Sequence, residues 1–151
     1  MDLVIGIGND WRGDDGLGPR VVETLSARPG LETTTVHQLV PELAERIGAV
    51  DRVLFVDAAV DAETVRLQRV EPEAHRGLSH ACSPGALLGW TVLAYDRAPE
   101  AWLLSIPGTA FDPGTGLSRP AEDRVPEAVV RIGAWLNAHP HPVAVTNEEE
   151  A

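Results

Sequence analysis

The sequence predicts an α/β protein, a three-layer α/β/α sandwich around a mostly parallel, mixed central sheet. Two observations lead there. Short apolar runs alternate with segments of helical periodicity along the chain. The three strongest runs, Leu3-Val4-Ile5, Val53-Leu54-Phe55-Val56 and Trp102-Leu103-Leu104-Ser105-Ile106, are continuous, the pattern of strands covered on both faces.

Residues 3–7 read as a buried strand running into the glycine loop Gly6-Ile7-Gly8-Asn9. Residues 15–28 read as a helix, with Leu17, Val21, Val22 and Leu25 on one face and Pro29-Gly30 as its stop. Thr33-Thr34-Thr35-Val36 is β-branched and strand-like. Residues 41–49 form a short helix opened by Pro41 and closed near Gly48. The run Val53–Val56 is a second buried strand that Asp57 terminates. Residues 64–70 form a further strand with Val65 and Leu67 on one face, expected at an edge. Its short connection from 53–56 predicts an antiparallel pair with that strand, which makes the sheet mixed. Ser83-Pro84 is an N-cap followed by proline at the first helical position, opening a helix to about Tyr95. Trp102–Ile106 is the third apolar strand, stopped by Pro107-Gly108. A Gly- and Pro-rich loop over about 108–119 precedes a final helix from Pro120 to Asn137. Residues 1–138 are read as one domain and residues 139–151 as a disordered tail.

Twelve basic against 23 acidic residues give a formal net charge of −11. This disfavours nucleic acid and anionic membrane as partners, because both need clustered positive charge. It suits a cation or a basic protein segment, besides solubility. All basic residues are arginine; the absence of lysine excludes Schiff-base chemistry, Ser-Lys dyads and a P-loop. Cys82, the lone cysteine, cannot form an internal disulfide, so nothing indicates an oxidising compartment. No signal segment is visible, and no apolar run approaches the roughly 20 residues that span a bilayer. A soluble cytoplasmic protein is the expectation.

The chemistry concentrates at strand ends. The glycine loop leads to adjacent carboxylates, Asp14 and Asp15, closed by Gly16-Leu17-Gly18. A dinucleotide fingerprint needs glycine where Trp11 stands, and acid where a phosphate would sit argues for a cation. Asp14 is expected to cap the following helix or to orient Asp15, and Asp15 to point at the site. Asp57 reaches the same carboxyl edge of the sheet if its strand is a parallel neighbour of the first. His80 lies just before the Ser83-Pro84 helix; two carboxylates with one imidazole form a plausible transition-metal set. His75 competes with His80, and His139-Pro140-His141 is a poor site on a tail. Cys82 is two residues after His80, but such close pairs rarely face correctly as nucleophile and base. Trp11 is a candidate for lining a binding surface.

These segments resemble the hydrogenase maturation endopeptidases, which remove a C-terminal peptide from the large subunit of nickel–iron hydrogenases. The resemblance rests on Gly6-Ile7-Gly8-Asn9 through Asp14-Asp15-Gly16-Leu17-Gly18, on Leu54-Phe55-Val56-Asp57-Ala58, and on Leu78-Ser79-His80 followed by Ser83-Pro84-Gly85. Ile106-Pro107-Gly108 and Gly116-Leu117-Ser118 extend it, so that it covers about residues 3 to 137. Some relatives carry Glu where this chain has Asp15, and Val36-His37-Gln38-Leu39 departs from a glycine-rich stretch of others. The resemblance implies that Asp15, Asp57 and His80 contact nickel. The resemblance further implies that this nickel is supplied by the large-subunit precursor rather than bound permanently. Asp15 or Asp57 would serve as the base for the attacking water. Apart from the resemblance, a monomer is the expectation. Two rivals use the same ligands: a nickel-checking binding module without protease activity, and a metal-dependent amidase or aminopeptidase with its own metals. A related protease acting on a protein other than a hydrogenase is a third alternative.

Overall fold

The computed structural model describes residues 1–74 and 82–138. The expected sandwich is present. A five-stranded sheet has the order β2-β1-β3-β5-β4, where β1 is Asp2–Ile7, β2 Leu31–Val36, β3 Arg52–Ala59, β4 Arg66–Val70 and β5 Glu100–Pro107. The pairs β1–β2, β1–β3 and β3–β5 are parallel, and β4 runs antiparallel to β5. The helices are α1 (Leu17–Thr24), α2 (Ala44–Gly48), α3 (Pro84–Tyr95) and α4 (Arg119–Ala138).

The strand period of two sorts the apolar residues into two cores. Val4, Leu54, Val56, Leu104 and Ile106 face α1 and α4. Leu3, Ile5, Val53, Phe55 and Ala101 face α2 and α3. Continuous apolar runs are therefore needed in β1, β3 and β5, since each strand feeds both layers. On the α1 side a Cβ at Gly6 would press on the Gly18 carbonyl and the Val22 side chain. The two glycines let the start of α1 lie directly on the carboxyl ends of β1 and β3.

The opposite end of the sheet is fastened by Arg52. Its guanidinium donates to both carboxylate oxygens of Asp2 at 3.0 and 2.7 Å, and to the Trp135 carbonyl at 3.0 Å. It also lies 4.1 Å from the Trp135 ring centroid. One buried side chain thus joins β1, β3 and the last turn of α4, whose carbonyls lack helical partners. Among the described residues no helix is long and apolar enough to cross a membrane.

Four local expectations are corrected. The helix expected over 15–28 is a 3-10 turn, Gly13–Gly16, followed by the shorter α1. It ends at Thr24: Leu25 is already extended, with ψ of 140° and its N–H bonded to the Val22 carbonyl, and Arg28–Leu31 then forms a turn closed by Leu31 N–H to the Arg28 carbonyl. Gly30, with φ of +81°, supplies the left-handed position of that turn. The antiparallel partner of β4 is β5, not β3. The more apolar β5 takes the interior place, and the polar sequence of β4 suits an edge. β3 does not end at Asp57 but continues to Ala59, paired with β5. Asp14 caps no helix; its role is described below. The segment 41–49 forms as expected, beginning as a 3-10 turn at Pro41–Leu43 before α2. Ser83 caps α3, its Oγ accepting from Ala86 N–H at 3.1 Å.

Candidate functional site

The strand order reverses between β1 and β3. From β1 the chain moves outward to β2 and returns to add β3 on the other side. Open α/β sheets bind ligands in the crevice at the carboxyl ends of such strands. Asp15 follows β1 and Asp57 lies in β3, so both predicted acids come to this crevice. The β1–β3 register ends at Gly6 opposite Val56, which leaves Asp57 one residue beyond the paired part of β1.

Asp15 is half-buried and is held by the loop after β1. Gly8 has φ of +142°, and a Cβ there would collide with the Asp15 carbonyl oxygen. Glycine is therefore required for the loop to fold over this acid. The Asn9 main-chain N–H donates to Asp15 Oδ2 at 2.7 Å. Asn9 Oδ1 in turn accepts from Trp11 N–H at 3.0 Å, closing an Asx turn.

Asp57 shares the face of β3 that carries Val53 and Phe55. Its pKa is pushed up to about 6, chiefly by burial, with the charge of Asp15 adding to the rise and the Ala58 N–H opposing it. A carboxylate poised there takes up and releases a proton near neutral pH, as a general base must. Two acids sharing a crevice also favour the arrival of a cation, which relieves their repulsion.

The predicted third contact, His80, lies outside the described residues, as do His75, Ser79, His139 and His141. The chain re-enters the described structure at Cys82, whose N–H donates to the Leu39 carbonyl at 3.3 Å. Among the described residues no group of three or more His, Cys, Asp and Glu side chains is arranged to hold a metal. Burial pushes the Cys82 thiol up, which disfavours the thiolate and argues against a cysteine nucleophile.

Sequence reasoning missed what Asp14 does. It is fully buried, and its carboxylate gathers the loop before α4. Oδ2 accepts from the N–H groups of Thr109 and Ala110 at 2.8 and 3.0 Å and from Ser118 Oγ at 2.8 Å. Oδ1 accepts from Ser118 N–H at 2.7 Å. Burial raises its pKa, but the bonds from Ser118, Thr109 and Ala110 outweigh this and hold it below the usual carboxylate range. The start of α1 has no side-chain cap at all. The adjacent acids thus divide the work: Asp14 binds the 109–118 loop and Asp15 faces the crevice. Ser118 links the two ends of this contact: it donates to Asp14 while its Oγ accepts from Ala121 N–H at the start of α4.

Trp11 remains 63 % exposed on the rim of the glycine loop. It is not loosely placed: its carbonyl accepts from Gly114 N–H at 2.7 Å, and its ring lies over the open side of that glycine.

The fold is that of the hydrogenase maturation endopeptidases, in line with the resemblance read from the sequence; many of the solved structures similar to this chain carry that description. The hydrogenase maturating endopeptidase HybD from E. coli superposes with a TM-score of 0.76 at 21% identity, covering 91% of this chain and 93% of that one. The [NiFe] hydrogenase maturation protease HycI from Thermococcus kodakarensis gives 0.68 at 21%, over 87% and 89% of the two chains. A hydrogenase 2 maturation peptidase from a Thaumarchaeota archaeon gives 0.63 at 23%, over 91% and 98%. No protein-family model and no curated protein sequence matches the chain.

Proposed function

We propose that this chain is an endopeptidase that removes the C-terminal peptide of a nickel-loaded hydrogenase large-subunit precursor. Nickel in that substrate is the recognition element, contacted by Asp15, Asp57 and His80. The observation that carries the reading is the pair of acids at the topological switch point, one with its pKa raised to about 6, in a fold shared with proteases of this description. Nickel supplied with the substrate acts as a template and as a Lewis acid toward the scissile carbonyl or a water. Asp57 accepts the proton of the attacking water, and Asp15 faces the cation. The net charge of −11 suits a cationic target. The enzyme works as a cytoplasmic monomer and owns no permanent metal.

Single substitutions test the site. Asp15→Ala, Asp57→Ala and His80→Ala are compared with the wild type for peptide release from the nickel-loaded precursor. The expected result is loss of release in all three, with folding retained by circular dichroism. Unchanged release in His80→Ala would remove it from the contact set. Binding without release by the wild type would instead identify a nickel-checking module.

A further inference from the structure

The motif residue Asn9 has no part in the chemistry just described, yet three of its polar groups are committed to one turn. Its N–H donates to Asp15 Oδ2 at 2.7 Å. Its side-chain Oδ1 accepts from Trp11 N–H at 3.0 Å. Its carbonyl accepts from Arg12 N–H at 3.0 Å.

We propose that Asn9 is a positioning residue: its Asx turn aims the main-chain N–H at one oxygen of Asp15 and so presents the other oxygen to the cation of the substrate. The proposal rests on the reading of Asp15 as a nickel contact.

A carboxylate on a half-buried loop would otherwise turn about both of its side-chain bonds. A charge-assisted N–H bond to one oxygen fixes that rotation. Among the described residues Oδ1 of Asp15 accepts no hydrogen bond, so the turn leaves it for an incoming ligand. The donor itself is backbone, and backbone is only as well aimed as its turn. The Asn9 side chain holds the turn by bonding two residues ahead, which Asn, Asp and, more weakly, Ser achieve and Ala cannot. Gly8 brings the chain across the top of Asp15, and Asn9 then sets its direction. Gly8-Asn9 thus acts as a unit, an outer support of the type that tunes metal contacts by about 10- to 100-fold.

The test compares wild type, Asn9→Ala, Asn9→Ser and Asp15→Ala in three measurements. These are thermal melting, calorimetric titration with nickel(II) ions, and cleavage kinetics on nickel-loaded precursor. Asn9→Ala is expected to weaken nickel(II) binding about tenfold. It is also expected to raise KM for the loaded precursor by a similar factor while kcat changes less than about twofold, the signature of lost uniform binding. Asn9→Ser recovers most of the loss, while Asp15→Ala shows a larger loss than either. Asn9→Ala indistinguishable from a working wild type would overturn the proposal and leave the functional reading intact. So would Asn9→Ser as poor as Asn9→Ala with both melting early, since the residue would then be only structural. A wild type that neither binds nickel(II) nor cleaves would overturn the functional reading itself and the proposal with it.

Discussion

Replacing Asp57 by Asn is expected to make the protein more stable and inactive at the same time. Folding raises the Asp57 pKa from the ordinary 3.8 to about 6. At full burial this corresponds to about 3 kcal/mol against the charged form. Solvent reaching this partly exposed carboxylate reduces the figure to about 1–2 kcal/mol. The sign follows from linkage. An acid whose pKa is higher folded than unfolded is proton-rich in the native state, so its contribution falls as pH rises. The penalty is absent below about pH 4, grows between pH 4 and 6, and is complete above pH 6. Asn carries no charge and escapes it. Thermal melting of wild type and Asp57→Asn from pH 4 to 8 measures the difference. The Asn variant should melt about 3–6 °C higher at pH 7–8, as expected for a domain of this size, and the two curves should converge near pH 4. Parallel curves across the whole range, or a destabilised Asn variant at pH 8, would refute the account of Asp57 as a strained charge awaiting a cation.

Three further substitutions probe the supports of the site. Asp14→Ala strips the acceptor from three main-chain N–H groups and the Ser118 hydroxyl; urea unfolding should show a loss of about 3–5 kcal/mol. Because folding lowers the Asp14 pKa, its contribution is present above its unfolded pKa and is lost as pH falls through the folded value, so the wild-type advantage over Asp14→Ala should shrink in acid. Arg52→Met removes one charged partner of the buried Asp2 carboxylate and should cost about 3–5 kcal/mol by chemical denaturation, with Asp2→Leu in the same chain recovering part of it. Gly8→Ala places a Cβ against the Asp15 carbonyl at a φ that L-residues avoid; loss of at least about 2 kcal/mol in stability together with peptide release is expected, measured by melting and by cleavage.

The layers and the crevice were legible in the sequence because their causes are local. Continuous apolar runs dictate strands buried on both faces, and β1, β3 and β5 are those runs. Ser83-Pro84 dictates a helix start, and α3 begins there. That two acids reach the carboxyl edge of neighbouring parallel strands was legible, although Asp57 lies within β3 and Asp15 in the turn after β1. What was not legible depends on contacts distant in sequence. Asp14 joins residues about a hundred positions away, and no local pattern distinguishes that from a helix cap. The place of β4 beside β5 is decided by competition between strands for the interior of the sheet. The early end of α1 was not readable from Pro29, whose restriction reaches only Arg28; the backbone is already extended at Leu25. Arg52 belongs to the same class as Asp14, since its partners lie 50 and 83 residues away.

Nickel in the substrate is proposed to license cleavage at the crevice between β1 and β3. Mass spectrometry of the C-terminus of an immature hydrogenase large subunit, incubated with this protein with and without nickel loaded, tests it most directly. Release of a short C-terminal peptide from the nickel-loaded form alone is the predicted result. Equal release from both forms, or none from either across several large subunits, would contradict it.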